Sequence, residues 1–203
     1  MKKNKGLFIS FEGPEASGKS SQILLLSKFM KHNNISHVVT REPGGTIIGE
    51  KLRKIILSKN HKVNQLEEIM LLMASRSNHI NNLILPNLKK GKIVISDRFA
   101  DSTFVYQGFV NKFGLLKTKK LHKELLNNFL PDKTFIFYLN VKDIINRLKK
   151  RKFGNKYDRI DKKFHNLVNI GYKKILNEKR FVKIDGSKSK IEIHNIIKNN
   201  LGF

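Results

Sequence analysis

The feature that most constrains the fold is a glycine-bearing motif of the form G-x4-G-K-S near the start of the chain. It consists of Gly13-Pro14-Glu15-Ala16-Ser17-Gly18-Lys19-Ser20. The apolar residues 7–11 before it have the composition of a buried strand, and residues 19–31 after it have helical periodicity. Glycines at both ends let the loop curl so that its N–H groups point at phosphate oxygens beside a helix N-terminus. This context predicts a site for the phosphates of a nucleotide.

Individual residues of this loop have expected roles in binding ATP or GTP. Lys19 is expected to reach the β- and γ-phosphates, and the Ser20 hydroxyl is expected to ligate Mg²⁺. The other loop residues and Ser21 are expected to contact ATP. A chance match is the alternative, and the motif alone does not separate nucleotide kinases from motor ATPases, GTPases or clamp loaders. A chain of 203 residues leaves little room for remote machinery, which favours a small-molecule kinase.

The net charge of +25 raises the alternative of a nucleic-acid partner. The chain has 33 Lys, 8 Arg and 21 Asn, and the lysines are scattered over every segment. Recognition of bases and phosphates relies more on the planar guanidinium of arginine, so this composition favours a solvated basic surface. We therefore expect no specific nucleic-acid partner, only a weak attraction that falls steeply as salt rises.

Cysteine content and hydropathy limit the compartment and the domain organisation. The sequence contains no cysteine, which excludes disulfides and thiolate metal sites and suits a reducing cytoplasm. No run in the sequence approaches the roughly 20 apolar residues of a membrane span, and the basic N-terminus does not have the form of a signal peptide. We expect one cytoplasmic domain covering residues 1–203, with no membrane partner.

Short β-rich runs alternate with longer segments of helical period, which predicts an α/β fold with a parallel sheet and helices on both faces. Strands are predicted at residues 7–11, 37–40, 92–96, 134–139 and 182–184. Helices are predicted at residues 19–31, 49–58, 66–89, 115–130, 141–150, 162–177 and 190–200. The charged, glycine-containing segment at about 150–161 is predicted to be a mobile lid, with an ordinary exposed loop as the alternative.

Four landmarks occur in one order along the chain. They are Phe11-Glu12-Gly13, Thr40-Arg41-Glu42-Pro43-Gly44-Gly45-Thr46, Asp97-Arg98 with Ser102-Thr103 and Tyr106-Gln107-Gly108, and Asp158-Arg159-Ile160-Asp161. In this order they resemble the thymidylate kinase family across essentially the whole chain. The resemblance implies a P-loop kinase fold with a five-stranded parallel sheet and a short lid. It also implies transfer of the γ-phosphoryl of ATP to dTMP, in dTTP biosynthesis, by a homodimer.

Asp97 and Arg98 follow the predicted strand 92–96, so both side chains are expected at the carboxyl edge of the sheet, where ligands bind in such folds. A carboxylate there can hold Mg²⁺, and an arginine can clamp an acceptor phosphate. A structural ion pair is the alternative. The resemblance identifies Arg98 as the arginine that binds the acceptor phosphate.

The resemblance also implies further residues of the dTMP site. Glu15 approaches the sugar and the water shell of the metal, helping to orient donor and acceptor, with a solvated glutamate as the alternative. Glu42 and Pro43 shape the pocket, unless they form an ordinary turn. Arg76 hydrogen-bonds the thymine ring, unless it is a surface arginine. The other implied residues are Arg98, Ser102, Thr103, Tyr106, Gln107 and Tyr157.

Two departures from the family's pattern change the expected roles. Where an aromatic residue usually packs on the base, this chain has Leu72 and Met73, which offer an aliphatic or thioether face. Where some members have an arginine that assists transfer, this chain has Ala16, so the resemblance assigns that role to Arg151 in the lid. The resemblance also places Arg147 near ATP, and solvated surface is the alternative for both arginines.

The expected reaction is a direct in-line transfer in which Lys19, Arg98, the lid arginine and Mg²⁺ stabilise charge. No covalent enzyme intermediate is needed, because the phosphate oxygen of dTMP is already a nucleophile. Two alternatives stay open. One is another pyrimidine nucleoside monophosphate kinase acting on UMP, CMP or dUMP, and the other is a basic nucleic-acid-binding P-loop ATPase.

Overall fold

The computed structural model of the chain describes residues 6–58, 63–150, 157 and 161–203. A parallel sheet of five strands runs through these residues in the order β2-β3-β1-β4-β5. The strands are β1 (Leu7–Glu12), β2 (His37–Arg41), β3 (Ile93–Asp97), β4 (Lys133–Tyr138) and β5 (Phe181–Asp185). Each predicted strand overlaps one of these, so the prediction of an α/β fold with a five-stranded parallel sheet is confirmed.

Helices connect the strands, as parallel pairing requires. The α-helices are α1 (Lys19–His32), α2 (Ile47–Leu57), α3 (Gln65–His79), α4 (Leu85–Lys89), α5 (Ala100–Thr103), α6 (Leu115–Leu126), α7 (Val141–Lys149), α8 (Lys162–Ile175) and α9 (Lys190–Leu201). Two π-helical segments, Ile80–Ile84 and Phe104–Val110, follow α3 and α5 directly.

Three helical segments differ from the prediction. The predicted helix 66–89 contains the π-helical segment Ile80–Ile84 between α3 and α4. The predicted helix 115–130 ends at Leu126, because Asn127 and Asn128 adopt left-handed φ values of 51° and 52° that stop a helix. The helical residues 100–110 were not predicted, since most of them are buried and a segment without a polar face has no amphipathic period.

Alternate residues of β1 face opposite sides of the sheet and enter two separate cores. Ile9 and Phe11 pack in a core with residues of α1 and α9, whereas Phe8 packs in a core with residues of α3, α5 and the neighbouring π-helical segment. Because successive side chains of a strand alternate between faces, helices cover both sides of the sheet.

The parallel sheet brings the carboxyl ends of its strands to one edge. Phe11 of β1 lies opposite Asp97 of β3, and Arg41 of β2 lies opposite Asp97 on the other side. The loops that follow these three strands therefore begin side by side, at the edge where open α/β sheets bind ligands. Among the helices that the structure describes, none is both long and apolar enough to cross a membrane.

Candidate active site

The loop of residues 13–20, called the phosphate loop below, follows β1 and is held by short contacts. Gly13 has a φ of 132°, and a Cβ there would lie 2.5 Å from the carbonyl oxygen of Phe137, so only glycine fits. The buried Lys19 donates from Nζ to the carbonyls of Gly13 at 3.0 Å and Pro14 at 2.6 Å. Burial and the nearby charge of Arg98 lower the pKa of Lys19 to about 8. A phosphate would offer this ammonium the negative charge that it lacks.

A hydroxyl and a carboxylate meet where β3 ends beside the start of α1. The Ser20 hydroxyl donates to Asp97 Oδ2 at 2.9 Å. Oxygen ligands of these two types suit Mg²⁺, which usually keeps several waters and takes its other ligands from substrate phosphates. The described part of the chain has no group of three or more His, Cys, Asp or Glu side chains that could hold a metal ion. The Ser20–Asp97 pair is therefore the arrangement of described residues that fits Mg²⁺ together with phosphate.

Arg98 follows β3 with a φ of 70°, a left-handed conformation that is uncommon for a residue with a side chain. Its Nη2 donates to Glu15 Oε1 at 2.9 Å, and its Nη1 donates to the Gly13 carbonyl at 2.9 Å. The Tyr106 hydroxyl lies 2.8 Å from both Glu15 carboxylate oxygens, and the Arg98 guanidinium lies 5.2 Å from the centre of the Tyr106 ring. These contacts fix a cation beside the phosphate loop, and they show that Glu15 is buried rather than solvated.

Glu12, the last residue of β1, supports the turn after β3 from the interior. Its carboxylate accepts hydrogen bonds from the Phe99 N–H at 2.7 Å, the Ser102 hydroxyl at 2.6 Å and the Tyr172 hydroxyl at 3.0 Å. Burial and the nearby Asp101 carboxylate raise the pKa of Glu12 to about 7. These partners lie 87, 90 and 160 residues away along the chain, so sequence patterns did not indicate this role.

Arg76 of α3 lies in a buried ionic group. Its Nε donates to Glu42 Oε2 at 2.7 Å, and His79 Nδ1 lies 2.9 Å from Glu42 Oε1. Burial opposes the ionisation of Glu42, but Arg76 and His79 lower the pKa of this carboxyl below its ordinary value. Arg76 also donates to Thr103 Oγ1 at 2.8 Å and lies over the Phe99 ring. Since only 2% of Arg76 is exposed, the alternative of a surface arginine is wrong.

Gln107, Glu68 and Tyr157 are joined by hydrogen bonds. Gln107 Nε2 donates to Glu68 Oε1 at 2.6 Å and to the Tyr157 hydroxyl at 3.0 Å. The Tyr157 hydroxyl in turn donates to the same Glu68 oxygen at 2.6 Å. Glu68 is absent from the predicted site residues, because a glutamate in the first turn of a helix ordinarily indicates no more than a favourable interaction with the helix dipole.

A cavity of about 210 Å³, called the acceptor cavity below, opens at the carboxyl edge of the sheet. Its predicted acceptor-site residues are Glu15, Glu42, Pro43, Arg76, Arg98, Ser102, Thr103, Tyr106, Gln107 and Tyr157. Of the two residues considered for the base-packing face, Leu72 lines the cavity beside Ile56 and Leu57, whereas Met73 packs in the core. Leu72 therefore supplies an aliphatic face at the predicted base-packing position, while the aromatic ring of Phe99 also lines the cavity.

Arg53 of α2 also lines the acceptor cavity, although it is absent from the predicted site residues. Its Nη1 donates to the carbonyl of Pro43 at 2.7 Å. Burial and the neighbouring Arg41 lower the pKa of Arg53. The composition offered a signal for Arg53, because the chain has 33 Lys and only 8 Arg. An arginine that follows the landmark at 40–46 in such a chain indicates a need for the planar guanidinium.

A second cavity of about 430 Å³, called the donor cavity below, lies on the other side of the phosphate loop. Its lining includes the predicted ATP-site residues Ala16, Ser17, Gly18, Lys19, Ser20, Ser21 and Arg147. Arg147 donates from Nη1 to the Ala16 carbonyl at 3.2 Å and from Nη2 to the Gly186 carbonyl at 3.1 Å. Residues Ala16, Lys19 and Ser20 line both cavities, so the cavities meet at the phosphate loop.

The described residues of the predicted site thus gather around two adjoining cavities. Gly13 and Pro14 are not part of either lining, but their carbonyls hold Lys19. Asp97 lines the acceptor cavity. Arg151, the predicted lid contact, lies outside the described residues, as do the first three residues of the landmark at 158–161 and most of the predicted lid.

Comparisons with known proteins relate the chain to one family. A family model described as thymidylate kinase matches residues 11–197. A curated thymidylate kinase of Thermoanaerobacter sp. (strain X514) is 38% identical over 192 residues, 94% of each chain. The thymidylate kinase of Wolbachia pipientis wMel is 43% identical over 173 residues, 83% of this chain and 84% of that one. The crystal structure of thymidylate kinase from Ehrlichia chaffeensis, 28% identical, matches with a TM-score of 0.77 and covers 98% of this chain and 99% of that chain.

Proposed function

The chain belongs to the thymidylate kinase family, and from this membership we propose that it is an enzyme that transfers the γ-phosphoryl of ATP to dTMP, forming dTDP and ADP. The observation that carries the assignment to the two cavities is that both are lined by Ala16, Lys19 and Ser20. Two nucleotides bound on either side of the phosphate loop would place their phosphates together. Transfer between two bound phosphates requires this proximity.

The acceptor phosphate is assigned to Arg98 and Arg53. Both guanidinium groups line the acceptor cavity, and Arg98 is anchored by Glu15 and by the Gly13 carbonyl. A planar guanidinium can bind two phosphate oxygens at once, which orients the phosphate as well as attracting it. The two arginines would orient the attacking phosphate oxygen toward the residues that line both cavities. Such positioning of the reacting groups contributes to catalysis.

The transfer step needs no covalent bond to the protein. An oxygen of the dTMP phosphate forms a bond to the γ-phosphorus of ATP while the bond from that phosphorus to the β–γ bridging oxygen breaks, and ADP leaves. Lys19 is assigned to the charge on the β- and γ-phosphates. When ATP binds, Lys19 would exchange its two neutral carbonyl acceptors for charged phosphate oxygens. Hydrogen bonds from an ammonium to a charged acceptor are stronger.

The base and sugar are assigned to the deeper part of the acceptor cavity. Arg76 and Gln107 offer polar groups to the thymine ring, Glu15 and Tyr106 lie toward the sugar, and Leu72 supplies the apolar wall. The remaining assigned lining residues are Glu42, Pro43, Ser102, Thr103 and Tyr157. Hydrogen bonds among these side chains hold the walls of the pocket in place, which lowers the cost of ordering them around a ligand.

Mg²⁺ is assigned to Ser20 and Asp97, whose oxygens fit its preference. When bound there with ATP, the ion neutralises charge on the phosphates. Residues 150–161 are proposed to form a lid that delivers Arg151 to the transferring phosphoryl, with Arg147 on the donor side. Because lid closure would deliver Arg151, all the positive charges around the transferring phosphoryl would be in place only when both substrates are bound.

A homodimer is also proposed, as the resemblance implies. Apolar side chains of α1, α2 and the edge strand β2 are exposed, among them Leu24, Val39, Ile47 and Ile48, with Ile47 81% exposed. A second copy of the chain would cover such a surface. The cytoplasm is the proposed compartment, since a chain without cysteine suits a reducing environment.

The function is tested by assaying the purified protein with ATP, Mg²⁺ and a panel of monophosphates: dTMP, dUMP, UMP and CMP. We expect dTMP to give the highest kcat/KM. A higher value with dUMP, UMP or CMP would instead identify another pyrimidine monophosphate kinase. ATP hydrolysis that depends on added DNA or RNA, without phosphorylation of any monophosphate, would identify a nucleic-acid-dependent ATPase.

A further inference from the structure

Glu68 lies behind the acceptor cavity, next to Gln107 but outside the lining. It is buried on α3, and its Oε1 accepts both from Gln107 Nε2 and from the Tyr157 hydroxyl. Gln107 and Tyr157 do line the cavity, whereas Glu68 does not. A carboxylate in this position can therefore act on a ligand through the two cavity-lining side chains that it holds.

The contacts around Glu68 determine which way the Gln107 carboxamide faces. A carboxylate can only accept hydrogen bonds, so the NH₂ group of Gln107, and not its oxygen, must face Glu68. The Tyr157 hydroxyl donates its proton to the same Glu68 oxygen, so toward the Gln107 NH₂ group it can only accept. With the NH₂ group on the Glu68 side, the oxygen of the Gln107 carboxamide is the atom that can accept a hydrogen bond from a ligand in the cavity.

We infer that Glu68 is a positioning residue that locks the Gln107 carboxamide with its oxygen toward the acceptor cavity, so that the site selects pyrimidines that carry an N3–H donor. This inference rests on the proposed function and deepens it. Thymine and uracil have a proton on N3 that can be donated to the Gln107 oxygen. Cytosine has an unprotonated N3, which would face that oxygen with one lone pair against another.

Accommodation of cytosine would require the Gln107 carboxamide to rotate by half a turn. Its oxygen would then face the Glu68 carboxylate, and a buried carboxylate would lose a donor, which is costly. The same carboxylate holds Tyr157, a residue of the predicted lid, so rotation of the carboxamide would also disturb the lid contact. Glu68 thus disfavours the binding of cytosine without contacting the base itself.

The substitution Glu68→Gln tests the lock, because a glutamine at position 68 can itself rotate and accept or donate as required. The matched control is Glu67→Gln, an exposed neighbour at the third position of the helix, where glutamine also supports the capping interaction with Asn64. For wild type and both variants, kcat and KM are measured with dTMP and with dCMP, and thermal unfolding is recorded alongside.

We expect Glu68→Gln to reduce the ratio of kcat/KM for dTMP to kcat/KM for dCMP by about 10-fold or more, mainly through KM, and Glu67→Gln to leave it unchanged. An unchanged ratio in Glu68→Gln, or an equal fall for both substrates, overturns the inference and leaves Glu68 with a structural role. Failure of wild type to phosphorylate dTMP would overturn the proposed function instead, so the two failures are distinguishable.

A measurement on the wild-type protein covers the case in which Glu68→Gln does not fold. The side-chain amide resonances of Gln107 are assigned by NMR from their loss in Gln107→Leu. In the nucleotide-free protein we expect at least one of the two amide protons to exchange slowly with water, because it is donated to the buried Glu68 carboxylate. Rapid exchange of both amide protons with water would overturn the lock.

Discussion

The phosphate loop and the acceptor cavity differ in how each holds its central cation. Lys19 of the phosphate loop is held by loop carbonyls five and six positions away. Arg76 of the acceptor cavity is held by the side chains of Glu42 and Thr103, which lie 34 and 27 positions away. A local loop can keep its geometry when a side chain changes, whereas a cavity of buried partners loses both geometry and stability.

The largest expected effect is a loss of turnover, without a loss of dTMP binding, on substitution of Lys19 in the phosphate loop. Lys19→Ala should lower kcat by about 1000-fold, because it removes a preorganised cation from the transferring phosphoryl. Calorimetry should show dTMP binding within about threefold of wild type, since the anchors of the acceptor cavity remain. The control is Lys28→Ala, an exposed lysine on the same helix. Near-normal turnover by Lys19→Ala would contradict the role of this residue.

On the acceptor side, a substitution should act on stability as well. Glu42→Ala leaves Arg76 buried without its carboxylate partner, and we expect a loss of about 3 kcal/mol in the free energy of unfolding in urea. Glu124→Ala breaks the exposed Lys120–Glu124 pair and should cost less than about 1 kcal/mol. Equal losses in the two variants would remove the distinction between the cavity and the surface.

The smallest expected effect is a pH dependence at Glu12. Its folded-state pKa of about 7 lies above its ordinary value of 4.5, so the folded protein binds more protons than the unfolded chain between these values. Glu12 should therefore lower the stability of the nucleotide-free protein as pH rises from 4.5 to 7. Glu12→Gln removes this contribution, so urea unfolding at pH 5 and pH 7.5 should show the variant gaining relative to wild type at the higher pH. A difference that is independent of pH would contradict the raised pKa.

The fold was largely predictable because it follows from local patterns. Apolar runs of strand length alternate with amphipathic segments, and each predicted strand overlaps an observed one. The segment 100–110 was missed since its residues are mostly buried, so it lacks the polar face that periodicity detects. Helix α6 ended early at two asparagines, residues that tolerate the left-handed conformation in which a helix stops.

The candidate site was predictable only where a motif carried its own context. Lys19, Ser20, Asp97 and Arg98 could be placed at one sheet edge because parallel strands end together. Glu68 could not be placed, since its partner Gln107 lies 39 positions away, whereas Arg53 was missed although its partner Pro43 lies ten positions away. The choice between Leu72 and Met73 likewise depended on which way the helix turned in the folded protein.

The sequence by itself determined the α/β class, the phosphate loop and the family resemblance, because each depends on residues that are close along the chain. Only the tertiary structure decided that one loop lines two cavities, that Arg76 and Glu15 are buried, and that Glu68 contacts Gln107. The physical reason is that a buried charge must find its partner wherever the fold brings one within about 3 Å, and separation along the chain does not predict that distance.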